Sequence, residues 1–134
     1  MTKSTYVAKP PDHFIVHIQR MCFNYDRFEN EKVNSRWEFP NELNIYDYSL
    51  AKQKAIASLP GEYDYRLKGV VIHYGSADFG HYYSYIKETD TKWIEFNDER
   101  VREFDPRDVE LECFGGEHWR REHQNAYLLV YERV

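Results

Sequence analysis

His81, Asn97 and Asp98 are the side chains whose types and spacing could do chemistry together. A histidine becomes a general base when a carboxamide or carboxylate accepts a hydrogen bond from one ring nitrogen. That bond fixes the tautomer and leaves the other nitrogen its lone pair. Residues 81–87 read as an aromatic strand, 88–91 as a polar turn and 92–96 as a returning strand. If Lys87 pairs with Lys92, His81 falls opposite Asp98; a bulge brings it opposite Asn97 or diagonal to it, still within side-chain reach. The same residues also fit a structural histidine that finishes a turn, because His beside Asn or Asp is common there.

The elements that must position this set lie just upstream. Residues 63–74 form a strand with the β-branched run Val70-Val71-Ile72 near its end. Gly75-Ser76-Ala77-Asp78-Phe79-Gly80 then turns the chain, with a glycine at each end where the backbone can take positive φ or come close to a ligand.

At 134 residues the chain makes one domain or part of one. Aromatic residues are 17%, twelve of them tyrosine, which favours half-buried pleated surface and therefore sheet. A formal charge of −5 argues against a nucleic-acid partner. Cys22 and Cys113 are too few for a disulfide framework, and neither a signal peptide nor a membrane span is visible. Free thiols without a targeting segment are the expectation for a cytoplasmic or nuclear protein.

Along the chain, residues 1–11 read as a loose lead-in and 13–21 as a strand. His13 and His17 lack a third ligand, so they read as strand histidines and not as a zinc site. Residues 24–31 suit a hairpin tip, and 33–39 a short strand stopped by Pro40. Residues 49–59 predict a helix, capped by Ser49 and ended by Pro60-Gly61. A strand over 101–104 leads to Asp105-Pro106, a helix start, with Gly115-Gly116 as its end. Residues 117–124 read as a solvated charged loop and 126–132 as the last strand. The fold class is α+β: a mainly antiparallel twisted sheet of six or seven strands with one or two short helices.

The motif series is specific. GSADFGHYYSYIK followed by W-x-E-F-N-D resembles the histidine box of the ubiquitin-specific proteases, papain-like cysteine peptidases that remove ubiquitin. HFIVHIQRMCFNYDRFENEKVNSRWEFPNEL resembles the family's strand and basic-aromatic segment leading into K-x-N-x-x-x-x-F-P, although Gln19 stands where a lysine is usual. ECFGG and NAYLLVYERV resemble its Gly-Gly turn and final strand, so the likeness covers nearly the whole chain.

The resemblance implies His81 as the base, Asn97 as its orienting residue and Asp98 as an adjacent polar support. It implies that residues 75–80 and 46–63 flank a narrow channel for the Gly-Gly tail of ubiquitin. Gly75, Phe79, Gly80 and Tyr82 are then its candidate tail contacts, with ordinary sheet packing as the alternative for the tyrosines. No metal and no cofactor are implied. The family's nucleophile box, an Asn-Thr-Cys segment opening a helix, has no counterpart here. Cys22 follows a strand with no capped helix after it, and Cys113 sits at a helix end, where the dipole disfavours a thiolate.

The chain therefore reads as the C-terminal, palm half of a papain-like catalytic domain, inactive by itself. Its expected partners are ubiquitin or ubiquitinated proteins and the missing N-terminal half, with no membrane. The alternative is a non-catalytic ubiquitin-binding or scaffold module of the same fold. Losing the other half should uncover an apolar sheet face and promote self-association.

Overall fold

The computed structural model describes residues 1–116 and 123–134. Its elements are β1 (His13–His17), β2 (Met21–Asn24), β3 (Glu29–Lys32), β4 (Glu42–Asn44), α1 (Leu50–Gln53), β5 (Asp64–Gly75), β6 (Gly80–Lys87), β7 (Trp93–Asn97), β8 (Arg100–Phe104), α2 (Val109–Cys113) and β9 (Gln124–Arg133). The principal sheet runs β1-β9-β5-β6-β7-β8, with β4 on the first residues of β5. Every pairing in it is antiparallel. β2 and β3 form a separate hairpin.

Strand β5 shows how the sequence sets the two faces. Tyr65, Leu67, Val70 and Ile72 are all buried, although their spacing breaks strict alternation. A bulge between Leu67 and Gly69 absorbs the extra residue and keeps both halves pointing to one core. That core is completed by Tyr85, Trp93, Phe104, Leu129 and Tyr131 from the sheet, and by Phe39, Ile45, Cys113 and Phe114 packed over it. The opposite face is open: Ile15, Tyr82, Ile86, Phe96 and Val101 are all exposed on it.

Several boundaries differ from the sequence reading. The strand expected over 13–21 stops at His17, because Arg20 turns inward and is buried. Its guanidinium donates to the carbonyls of Ala126, Val33, Ser35 and Phe114. Those bonds, with Trp37 N–H to Phe114 O, use the backbone groups a strand over 33–39 would need, and no strand forms there. The hairpin tip expected over 24–31 is present but shorter: β2 and β3 stay paired as far as Asn24 and Glu29, and the tip is residues 25–28, with Phe28 at φ 57°.

The helix expected over 49–59 is only α1. Ser49 caps it as expected, its hydroxyl accepting from Lys52 N–H at 3.0 Å. Ala55 then takes φ 55°, and Ile56 and Leu59 are exposed, so no apolar face exists to extend the helix. Asp105 accepts from Arg107 N–H, and Pro106 opens a 3-10 turn that runs into α2. Within the first eleven residues, Val7 bridges to Ser49 and Pro11 O accepts from the Tyr65 hydroxyl. The charged loop read over 117–124 lies, up to residue 122, outside the described residues, and Gln124 already belongs to β9.

Candidate active site

The turn between β5 and β6 is built by its glycines. Gly75 pairs with Gly80 and has φ 124°, and a Cβ on it would sit 2.6 Å from Phe79 O. Neither the conformation nor the space admits a side chain. Inside the turn Phe79 N–H donates to the Ser76 hydroxyl at 3.3 Å. His81 follows at once, paired with Tyr74.

The β6–β7 hairpin is one residue out from the simplest expectation. Lys87 pairs with Trp93, not Lys92, and Ser84 with Phe96. A one-residue change of register moves every side chain of the returning strand to the other face. Asn97 therefore comes onto the face of His81, and the two meet beyond the last paired residues. The distance from His81 Nε2 to Asn97 Oδ1 is 2.7 Å. Asp98, at φ 52°, lies at the turn with its Oδ2 3.6 Å from the same nitrogen.

A carboxamide oxygen can only accept, so Nε2 carries the proton and Nδ1 keeps its lone pair. No described residue hydrogen-bonds to that Nδ1, and the His81 side chain is 42% exposed. The ring stacks on Tyr83 at 6.1 Å. Tyr74, Tyr83, Tyr85, Glu112 and Gln124 border a groove of about 260 Å³ that His81 and Asn97 enter from one end. Glu112 anchors α2 to its floor by accepting from the Tyr85 hydroxyl and the Gln124 amide. The same groove holds Glu95, Arg100 and Arg102, which the sequence reading passed over. The signal was available: Trp93, Glu95 and Asn97 alternate onto one face, and Trp93 is plainly a core residue.

The remaining expected residues separate by strand parity. Gly80 and Tyr82 face away from His81. A Cβ on Gly80 would meet His73 Nε2 at 2.1 Å, so this glycine makes room for the His73 ring on the reverse face. Tyr82 packs there too, 4.9 Å from His73 and 5.2 Å from Tyr127, and is half exposed. Tyr83, not Tyr82, lines the groove beside His81. Phe79 is 82% exposed at the tip of the turn.

The turn is gripped from β3. Asn30 donates to Asp78 at 3.3 Å, and the Lys32 ammonium donates to His73 O at 3.1 Å and His123 O at 2.7 Å. Gly75 N–H donates to the same His123 carbonyl. Burial, and then the charge of Arg20, push the Lys32 ammonium down to about 8. Burial, and then Lys32, also lower the pKa of His73, whose Nδ1 is buried with no hydrogen-bond partner.

The two thiols lie in different settings. Cys113 is fully buried in α2, and burial, with the neighbouring Glu112, pushes its thiol well above the ordinary range. Cys22 is exposed on β2, in the separate hairpin. His13 and His17 do not join a metal cluster: among the described residues no group of three or more metal-ligating side chains comes together.

What the sheet presents is an imidazole at a strand mouth, oriented by an amide, with its second nitrogen open. A general base requires an arrangement of this kind. The chain belongs to the ubiquitin carboxyl-terminal hydrolase family, whose profile matches residues 3–131. It is 32% identical to ubiquitin carboxyl-terminal hydrolase 24 of Mus musculus, the match taking in 98% of this chain and 7% of that protein. It is 32% identical to ubiquitin carboxyl-terminal hydrolase puf of Drosophila melanogaster and 31% to ubiquitin carboxyl-terminal hydrolase 34 of Homo sapiens, covering 98% of this chain and 5% of each relative. The chain thus spans a small fraction of the relatives it matches. The alignments extend over 167 to 186 residues, more than the 134 of this chain, so the relatives hold intervening residues that it lacks.

Proposed function

We propose that this chain supplies the general-base half of a thiol-dependent deubiquitinating peptidase, which hydrolyses peptide and isopeptide bonds after the C-terminal glycine of ubiquitin. His81 is the base, taking the thiol proton on Nδ1. Asn97 holds the ring through Nε2–H, and Asp98 adds negative charge beside the imidazolium that forms. Gly75, Phe79 and Gly80 form the turn that borders the ubiquitin tail, with Tyr82 on its outer side. The nucleophile comes from protein outside this chain. The partners are that missing half and ubiquitin or ubiquitinated proteins, in the cytoplasm or nucleus.

The observation that carries this reading is the 2.7 Å bond from His81 Nε2 to Asn97 Oδ1, which leaves Nδ1 open. Neutral Asn97 fixes the tautomer without a full charge, and the nearby Asp98 carboxylate partly makes good that loss. A second reading, a non-catalytic ubiquitin-binding or scaffold module, is favoured by the two thiols: one is buried and protonated, the other lies on a different sheet.

A fluorogenic ubiquitin C-terminal amide separates the readings. The 134-residue chain alone gives no turnover. A longer protein that contains this segment turns the substrate over, and His81→Ala lowers kcat about 10³-fold or more. A longer protein that binds ubiquitin without turnover establishes the scaffold reading. Turnover by the chain alone, abolished by Cys22→Ala or Cys113→Ala, overturns the assignment of the nucleophile to another segment.

A further inference from the structure

The bond to His81 does not by itself keep Asn97 in place. The β6–β7 ladder ends at Ser84–Phe96, one residue short of it. The β7–β8 ladder does reach it, pairing Asn97 with Arg100. Among the described residues the backbone at Asn97 is therefore paired with β8 alone. Yet β8 is the edge strand of the sheet, and of its five residues only Phe104 is buried. An edge strand with so little apolar burial has little hydrophobic fastening, and its free side is open to solvent.

Charge provides the fastening. The Glu95 side chain is 1% exposed, beside Tyr85 across the β6–β7 pairing. A lone carboxylate in such a place carries a large desolvation cost unless it is fully paired. It is paired entirely from β8. Oε1 accepts from Arg100 Nη2 at 3.0 Å and Arg102 Nε at 3.1 Å, and Oε2 from Arg102 Nη2 at 2.9 Å. Arg102 stands directly opposite Glu95 and grips it with both arms of the guanidinium. Arg100 stands opposite Asn97 and reaches diagonally back to the same carboxylate. Burial pushes the carboxyl pKa up, but the bonds and charges of Arg102 and Arg100 together outweigh it and hold it below its ordinary value.

We propose that Glu95, through Arg100, is a positioning residue for the base: the Glu95–Arg100 bond fixes the β7–β8 turn so that the Asn97 amide stays within reach of His81. Arg102 fastens the strand, and Arg100 sets the turn. None of the three touches the reacting atoms. The proposal rests on the reading of His81 as base only for its kinetic consequence, since the geometric consequence, the tautomer of His81, is measurable without turnover.

Arg100→Ala is the variant of choice, because the side chain is 60% exposed and its removal leaves Arg102 to pair the carboxylate. Nitrogen-15 spectra of the histidine ring in the chain should show the Nε2–H tautomer dominant in the wild type. In Arg100→Ala the two tautomers should mix, with Arg100→Lys intermediate. Asn97→Ala should give the same mixing, and Arg100→Ala added to Asn97→Ala should change nothing further, because both act through one amide. In a longer protein that turns over ubiquitin substrates, Arg100→Ala should lower kcat about tenfold with KM within twofold. An unchanged tautomer in folded Arg100→Ala, or an effect that adds to that of Asn97→Ala, overturns the proposal. If the tautomer shifts as expected but no longer protein shows turnover, the positioning role stands and the reading of His81 as a catalytic base fails.

Discussion

The two faces of strand β6 are held in different ways. On one, His81, Tyr83 and Tyr85 look into a groove whose polar groups are supplied by β7, β8, α2 and β9. On the other, Gly80 and Tyr82 close over His73, and Ile86 continues into an open surface with Ile15 and Phe96. The first face is braced by directional bonds; the second holds the ring cluster of His73, Tyr82 and Tyr127 and, beyond it, exposed apolar side chains. The contrast teaches where chemistry can be placed. A base needs neighbours that fix its angle, which only the polar face offers. The apolar face offers area and no orientation.

The largest effect should come from joining the two faces by force. Gly80→Ala drives a methyl group into His73 Nε2, at 2.1 Å, and into Tyr74 O, at 2.8 Å. Overpacking of this kind, against backbone as well as a ring, costs about 2–3 kcal/mol. Thermal unfolding should show a clear fall in Tm, and His73→Ala should recover part of it. A Tm equal to the wild type would mean that the turn yields freely and that Gly80 does not serve the reverse face.

Next comes the brace itself. Arg102→Ala leaves the buried Glu95 carboxylate with Arg100 alone and should cost about 2–3 kcal/mol at neutral pH. The pH dependence identifies the cause. Glu95 has its pKa lowered in the folded protein, so its contribution is complete above the pKa of the unfolded carboxyl. It is lost as pH falls through the lower, folded value. The stability gap between wild type and Arg102→Ala should therefore close in acid, measured by urea unfolding at neutral pH and at pH near 3. A gap that stays constant would assign the loss to packing of the arginine stem.

How much of this was legible in the sequence follows from the same contrast. The Gly75–Gly80 turn, the strands on each side and the Asp105-Pro106 helix start could be read because local chemistry dictates them: positive φ, alternation, a capping oxygen. The meeting of His81 with the Asn97-Asp98 pair was legible, but not which of the two would face it. That choice depends on a one-residue register set by the 88–92 turn, where Glu88 and Thr89 N–H both donate to Lys92 O. Tyr82 stands on the face opposite His81 whichever register the turn sets, since adjacent strand residues take opposite faces. Arg20 and Lys32 were illegible as a buried and a half-buried group, because nothing local distinguishes them from solvated charges, whereas Glu95 shares the face of Trp93 and could have been read. The acceptors of Arg20 and Lys32 come from residues distant in sequence, such as Ala126 and His123, while the donors to Glu95 lie in the next strand.

The smallest effect on stability, and the sharpest test of the open face, comes from charging its surface. The register aligns Ile15, Val130, Gly69, Ile86, Ile94 and Glu103 in one row across the sheet, and His17, Leu128, Val71, Ser84, Phe96 and Val101 in the next. Ile15 in the first row is 62% exposed and Phe96 in the second 42%, so both rows leave apolar side chains in water. A monomer ordinarily keeps such patches to a few hundred Å² (about 300–600). A second copy of the chain can cover it by face-to-face burial, or the edge strand β8 can pair with its equivalent. Light scattering over a dilution series should therefore show association at high concentration. Ile15→Lys with Phe96→Glu removes apolar area and places charge on the face at positions already in water. Its unfolding free energy should stay within about 0.5 kcal/mol of the wild type, the usual range for exposed sites. The association should disappear. If instead the doubly charged variant associates as before while a β8 substitution such as Val101→Pro abolishes it, the contact is edge pairing and the apolar face is not what drives it. A wild type that remains monomeric at high concentration and binds no hydrophobic dye would show that the exposed rows do not act as one continuous patch.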